Sequence, residues 1–257
     1  MTPPPCPPEF DWTAREVGWT LVCRALKPCH GWTTRGLALP GADEPGGSDW
    51  PRLAADAGLA PERVVRLRQV HGADVVEART ASPGGGRAAD ALVSRDPGVL
   101  LTVRVADCVP LLIADASSGA VAAVHAGWRG TSAGVARRAV EAMIGSLECR
   151  PADLVAALGP SIGPCCYETG SAVREALQKA GWSEDTIERW LTGPRRGHLN
   201  LWRANRDQLI EAGLGAGAVF TSGLCTACHA GWFHSYRRQG ERAGRMAAYI
   251  RAAAAPP

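Results

Sequence analysis

Three residues of the metal-binding type lie far apart in the chain yet share one local setting. His71 follows the run 64–70 and precedes Gly72. Cys108 follows the run 99–105 and precedes Val109-Pro110. His125 follows the run 120–124 and precedes Ala126-Gly127. Each run has the length and composition of a strand bounded by turn residues, so each donor sits where a strand ends and the chain turns. If those strands are neighbours in one sheet, the three side chains converge at one rim. Two imidazoles and a thiolate suit zinc and leave a fourth position for water or substrate, as in a catalytic site. Such an ion lowers the pKa of its bound water toward about 7. Taken singly, each residue also has a plain structural explanation: a strand-end histidine hydrogen-bonds a neighbour, and a cysteine after an apolar run packs as a small apolar residue. Spacing alone leaves both readings open.

Beyond His125 comes Ala126-Gly127-Trp128-Arg129-Gly130-Thr131, followed by a helical pattern. Glycines let a backbone approach an anion, a helix start offers unpaired N–H groups, and Arg129 adds a full charge. That is a candidate phosphate cradle, or an ordinary strand–turn–helix connection with a surface arginine. Ser235-Tyr236-Arg237-Arg238 likewise reads as a ligand clamp or as a solvated turn. Other patterns fail on context. Gly159-Pro160-Ser161-Ile162-Gly163 has the G-x-S-x-G form, but Pro164 and Cys165-Cys166 stand where the helix of a nucleophile elbow should begin. Residues 213–218 fit a loose dinucleotide fingerprint but follow a helix, which makes them a helix end and turn. Cys225-Thr226-Ala227-Cys228 is a lone CxxC, too few ligands for a structural ion unless Cys165, Cys166 or His229 joins it, and otherwise a pair of packed thiols. The H-x-E with P-C-x-x-C signature of nucleobase deaminases is missing, as is a Walker A loop.

The elements that must position these residues follow from periodicity. Besides the three runs above, 73–78, 111–114, 154–158 and 218–221 read as buried strands. Val135, Ala139, Val140, Met143, Ile144 and Leu147 recur at helical spacing and predict an amphipathic helix over 131–146. Further helices are expected at 172–180, 184–191, 204–212 and 242–253. Strands and helices mix without a βαβ rhythm, which argues for an α+β or layered mixed-sheet domain rather than a doubly wound one.

Composition sets the outer limits. The 257 residues are 46% hydrophobic, enough for a substantial core. One catalytic domain is expected over 11–251, with a disordered proline-rich tail at 1–10, a loop at 39–49 and a frayed end at 252–257. The net charge of +3 lacks the dense basic stripe of a nucleic-acid binder. Positive charge is almost all arginine, with lysine only at Lys27 and Lys179. Arginine suits bidentate grip on phosphate or carboxylate, although a genome-wide compositional bias gives the same excess. No apolar run is long enough to span a membrane, and residues 1–10 lack the pattern of a secretory signal. A cytoplasmic location is expected, in which the nine cysteines are ligands, nucleophiles or packed thiols rather than disulfides.

Taken together, the motifs resemble one family. Gln69-Val70-His71-Gly72, Ala106-Asp107-Cys108-Val109-Pro110, the segment from His125 to Gly130 and Gly159-Pro160-Ser161-Ile162-Gly163-Pro164-Cys165-Cys166-Tyr167-Glu168 occur in order. Leu199-Asn200-Leu201-Trp202-Arg203-Ala204-Asn205, Cys225-Thr226, Ser235-Tyr236-Arg237-Arg238 and Gly244-Arg245-Met246-Ala247-Ala248 follow. In this order they resemble the multicopper polyphenol oxidase (laccase-like) family, also described as a purine nucleoside phosphorylase family. The resemblance runs from about residue 30 to 250.

It implies a layered α/β/β/α fold with mixed sheets and a metal triad at His71, Cys108 and His125. It also implies phosphorolysis of adenosine, inosine, guanosine and methylthioadenosine, with adenosine deamination beside it. On that basis phosphate is expected at Arg129 with Arg35 or Arg237, and Asp107 as general base, as orienter of Cys108, or in a buried structural role. Zinc is the expected ion. Copper is disfavoured because multicopper oxidation needs many imidazoles and only six histidines are present. Other readings are a Cys108–His125 hydrolase or amidase acting on peptidoglycan precursors, a copper-dependent phenol oxidase, or an inactive binding scaffold. The oligomeric state is left open. The sequence departs from the family pattern over residues 36–59, which look shortened, and at His234, where the family usually has phenylalanine.

Overall fold

The computed structural model describes residues 2–41, 48–80, 86–192 and 197–253. Twelve strands form two six-stranded sheets among these residues. They are β1 (Phe10–Arg15), β2 (Gly18–Cys23), β3 (His30–Thr33), β4 (Val64–Arg66), β5 (Val75–Glu77), β6 (Ala91–Ser94), β7 (Leu100–Val105), β8 (Val109–Asp115), β9 (Val121–Ala126), β10 (Leu154–Leu158), β11 (Val219–Thr221) and β12 (Met246–Ile250). The first sheet has the order β1-β2-β3-β12-β7-β4 and the second β11-β10-β8-β9-β6-β5. Both are mixed: antiparallel at the centre, with parallel pairs β4–β7, β5–β6 and β10–β11 at their edges.

The sheets pack face to face because their central strands are apolar on both sides. Successive side chains of a strand point to opposite faces. Along β8, Leu112 and Ala114 enter the core shared with Leu101, Val103, Val121 and Ile250, while Leu111 and Ile113 point outward. The outward set is covered by helices α3 (Val135–Leu147), α4 (Ser171–Lys179), α5 (Glu184–Trp190) and α6 (Leu201–Glu211). On the far side of the first sheet, Leu100, Ala247 and Tyr249 pack under α1 (Trp50–Asp56). The layers therefore run α/β/β/α in one domain, as expected.

Several local expectations shift. The single helix expected at 131–146 is two: α2 (Trp128–Ser132) and α3, broken at Gly134 with φ +81°. The helix expected at 242–253 is instead β12. Its alanines favour a helix locally, but the segment lies between β3 and β7, and all five residues are buried. Met246, Ala248 and Ile250 face the inter-sheet core, Ala247 and Tyr249 the outer one. Tertiary packing overrides propensity there. Only 64–66 of the run 64–70 pair as a strand. Phe10, within the stretch whose composition suggests a tail, lies in β1 and packs on Trp32, and the carbonyl of Pro4 accepts the Trp12 indole N–H at 2.8 Å. Most of the expected loop 39–49 and the end 254–257 lie outside the described residues. A last short helix, α7 (Tyr236–Gln239), precedes β12. No helix among the described residues is long and apolar enough to cross a membrane.

The inter-sheet core should tolerate truncation poorly. Leu112 is fully buried, and a Leu112→Ala variant should lose about 2–5 kcal/mol of stability, read as a lowered urea midpoint.

Candidate active site

The chain passes from the first sheet to the second between β4 and β5 and again between β7 and β8. His71 lies on the first crossing and Cys108 on the second. His125 is contributed by β9, on the same strand face as Val121 and Ala123, so it points between the sheets near their rim. The antiparallel register pairs Pro110 with His125, which brings Cys108 beside it. One donor atom from each of His71, Cys108 and His125 lies within 4.8 Å of the other two. Cys108 Sγ is 3.9 Å from His71 Nε2, and the two imidazoles meet edge to face at 4.8 Å between ring centroids. Donors bonded to a tetrahedral zinc at 2.0–2.3 Å stand roughly 3.3–3.8 Å apart. The observed separations are somewhat wider than that, and these three residues are of the kind that would hold such an ion.

A residue that sequence reasoning missed holds this arrangement. Asp90, fully buried at the entry to β6, places Oδ1 2.7 Å from His125 Nδ1. The same carboxylate accepts the backbone N–H groups of Val70, His71 and Gly72 at 3.2, 3.0 and 2.6 Å. Those bonds hold the 70–72 turn, in which His71 takes φ +60°. With Nδ1 engaged, His125 turns Nε2 toward Cys108, the orientation that a buried carboxylate imposes on a ligating histidine. The only sequence signal for Asp90 is a carboxylate at the threshold of the apolar segment Ala91–Ser94.

The electrostatics follow from this packing. Burial opposes both charges, yet the partners outweigh it. His125 and His71 bring the Cys108 thiol down to about 6, and Cys108 with Asp90 brings the His125 imidazolium up to about 9. Burial also raises Asp90, but the His125 contact and the turn amides outweigh it and lower it. Both shifts favour a thiolate at Cys108 beside an imidazolium at His125.

Gly127 closes over the donors. A Cβ at this position would come within 2.8 Å of Cys108 Sγ and 3.0 Å of the His71 ring, so only glycine fits.

Around the donors lies a cleft of about 480 Å³. Arg129 and Arg237 line it as the sequence suggested, joined by Arg104 and Arg245. Arg104 was signalled only as a cation within the apolar run 99–105. Arg129 lies 4.3 Å over the Trp128 ring and Arg237 5.1 Å over that of Tyr167. Arg237 is also anchored to the carbonyls of Cys166 and Glu168. Trp128, Tyr167 and Tyr236 supply flat apolar surface to the same cleft. Arg35 is not brought there: its guanidinium is tied to the Ala230 carbonyl. Asp107 reaches the cleft, but its carboxylate accepts the Thr226 hydroxyl and, at 2.6 Å, the Arg237 amide. Its own φ is +91°. Asp107 thus joins the β7–β8 crossing to the wall opposite.

A cleft lined by a two-histidine, one-cysteine donor set, on a sandwich of two mixed sheets, defines a class of α+β proteins with a candidate metal site. The chain belongs to the multi-copper polyphenol oxidoreductase laccase family, whose model matches residues 47–253. It is 44% identical over 199 residues to a purine nucleoside phosphorylase of Deinococcus radiodurans, covering 77% of this chain and 74% of that one. It is 36% identical over 209 residues to the adenosine deaminase RL5 from an unknown prokaryotic organism, covering 75% and 76%. The crystal structure of YlmD from Geobacillus stearothermophilus superposes with a TM-score of 0.81 at 31% identity, over 96% of this chain and all of that one. The relatives that this chain matches over about three quarters of its length thus carry the names of two activities, purine nucleoside phosphorylase and adenosine deaminase.

Two outcomes test the site. In metal-free protein, alkylation of Cys108 by iodoacetamide should rise as pH passes through about 6, and His125→Ala should move that midpoint upward. The depressed thiol contributes stability that is lost as pH falls through about 6. The raised imidazolium contributes stability that is lost as pH climbs through about 9. Between about 6.5 and 9 the two changes run in opposite directions and offset, because the folded and unfolded pairs hold the same number of protons, so the pair should make the metal-free protein's stability nearly independent of pH there. Second, Asp90→Asn keeps the shape but leaves His125 free to turn, and should weaken metal affinity roughly 10–100-fold in chelator competition.

Proposed function

We propose that this chain is a zinc-dependent purine nucleoside phosphorylase acting on adenosine, inosine, guanosine and methylthioadenosine, and that the same site deaminates adenosine. The observation that carries this reading is the meeting of His71, Cys108 and His125 on the floor of a cleft that also holds arginines and aromatic rings. The relatives named for these two activities supply the substrate class.

His71, Cys108 and His125 would hold the ion, with Asp90 fixing the tautomer of His125. Two imidazoles and one thiolate favour zinc. The other four histidines do not extend the set: His30 and His198, for example, bond backbone groups elsewhere. A multicopper centre therefore finds too few imidazoles. When bound, zinc supplies Lewis acidity at the cleft floor.

The remaining work falls to the chain's own groups. Arg129 and Arg237, with Arg104 and Arg245, make an electropositive cleft suited to phosphate. Trp128, Tyr167 and Tyr236 offer faces and edges on which a purine can stack. In phosphorolysis a phosphate oxygen bonds to the ribose C1′ as the bond to the purine nitrogen breaks, giving free base and ribose 1-phosphate. In deamination water replaces the exocyclic amine of adenosine, giving inosine and ammonia. The stacking on Trp128 and Tyr167 pre-positions Arg129 and Arg237, so little side-chain freedom is lost when an anion arrives. A cytoplasmic location suits substrates of this kind and thiols that must stay reduced.

A second reading rests on the Cys108–His125 pair. An ionised thiol beside an imidazolium is also the resting state of a cysteine hydrolase, such as an amidase of peptidoglycan precursors. Activity that survives removal of metal would favour it.

Purified enzyme incubated with inosine and phosphate should release hypoxanthine and ribose 1-phosphate. Cys108→Ala should abolish this, and Arg129→Ala should raise the KM for phosphate about tenfold or more, as expected for a charge-assisted contact worth roughly 1.5–3 kcal/mol. Equal turnover by wild type and Cys108→Ala would end the phosphorylase reading.

A further inference from the structure

The cleft does not use the largest group of cysteine sulfurs among the described residues. Cys165 and Cys166 lie in the segment after β10, and Cys225 and Cys228 in the segment after β11. The two segments are far apart in sequence but stitched together by backbone: Ser161 bridges Cys225, the Ser161 amide donates to the Leu224 carbonyl, and the Thr226 amide donates to the Ser161 carbonyl. Across that seam the four sulfurs all lie within 4.8 Å of one another. Cys228 Sγ is 3.6 Å from that of Cys165 and 3.5 Å from that of Cys166.

We propose that Cys165, Cys166, Cys225 and Cys228 form a second, structural metal site that binds one zinc ion as a closed tetrathiolate. The edge of a tetrahedron of sulfurs around zinc, with Zn–S near 2.3 Å, is about 3.8 Å. The observed separations are close to that edge and far from the roughly 2.05 Å of a disulfide. Ordinary packing of thiols does not account for the group, because Cys165 and Cys228 are exposed. The sulfur of Cys225, the most buried of the four, accepts the Gly163 amide at 3.2 Å, a donor suited to a thiolate ligand. The Cys-x-x-Cys turn supplies two ligands from one loop, and the adjacent pair Cys165-Cys166 supplies two from the other. Four protein ligands leave no open position, which separates this site in kind from the three-donor site on the cleft floor.

Its place in the fold gives the ion a task. The Cys166 carbonyl anchors the Arg237 guanidinium, and Tyr167 follows it into the cleft wall. Thr226, inside the Cys-x-x-Cys turn, holds Asp107. The Ile162 amide donates to the Asp107 carbonyl at 2.9 Å. An ion clasping both loops would fix that wall from behind without touching substrate.

The test separates the two sites. A His71→Ala/Cys108→Ala/His125→Ala variant, purified without chelator and confirmed as folded by circular dichroism, should retain about one zinc per chain. Adding Cys225→Ser and Cys228→Ser should remove it. In wild-type protein, Cys165 and Cys228 should resist iodoacetamide, mapped by mass spectrometry, until a strong chelator removes zinc. After release both should react at least tenfold faster. A folded triple variant free of zinc, prompt alkylation of both exposed cysteines in untreated protein, or a disulfide among the four would overturn the proposal. None of those results bears on nucleoside turnover.

Discussion

One buried carboxylate holds the donor set together. Asp90 has no solvent contact, and a carboxylate so placed must find donors for its lone pairs. It finds the His125 ring and three consecutive amides of the 70–72 turn. One side chain thereby sets the ring orientation of one histidine and the backbone that carries the other. Asp107 plays the corresponding part on the second crossing, binding the cleft wall through Thr226 and the Arg237 amide. Asp107 joins segments that regular strand pairing does not connect, and Asp90 ties the 70–72 turn to β6 and β9, two strands already paired.

The layered sandwich explains why the joints are needed. Its central strands are nearly saturated with apolar side chains, and polar chemistry is confined to the rim where the chain leaves one sheet for the other. Gln69 shows the same economy: its side-chain amide donates to the Arg104 carbonyl at 2.9 Å and accepts the Arg104 amide at 2.8 Å. It thus continues by side chain the pairing that β4 ends at Arg66. The cleft inherits its rigidity from such contacts rather than from long secondary structure.

Much of this was legible in the sequence, and the exceptions have physical causes. The strands of the second sheet other than β6, and the helices α4 to α6, were visible as apolar runs and helical spacing. β1 and β2 were not, because Phe10–Arg15 and Gly18–Cys23 mix polar and aromatic residues with no run that stands out. β12 was misread because alanine and methionine carry helix propensity, whereas its burial on both faces is a property of its neighbours. The strand-end placement could be read for Cys108 and His125, whereas His71 lies five residues beyond the end of β4, and the meeting of the three depends on a register that no local pattern encodes. Asp90 was invisible for the same reason: its partners lie 18 to 35 residues away. Arg35 was offered as an alternative to Arg237 in holding phosphate beside Arg129, and the fold turns it to the Ala230 carbonyl instead. The pairing of Cys165 and Cys166 with Cys225 and Cys228 is likewise a fact of folding, since 62 residues separate Cys166 from Cys228.

The bare backbone at Gly127 lets the chain lie directly against Cys108 and His71. A Cβ there would stand 2.8 Å from the sulfur and 3.0 Å from the imidazole, so any side chain would push one of them aside. A residue with nothing of its own to contribute thus governs the spacing of two that carry chemistry, and a substitution at 127 would be felt as a change of aim rather than as the loss of a group.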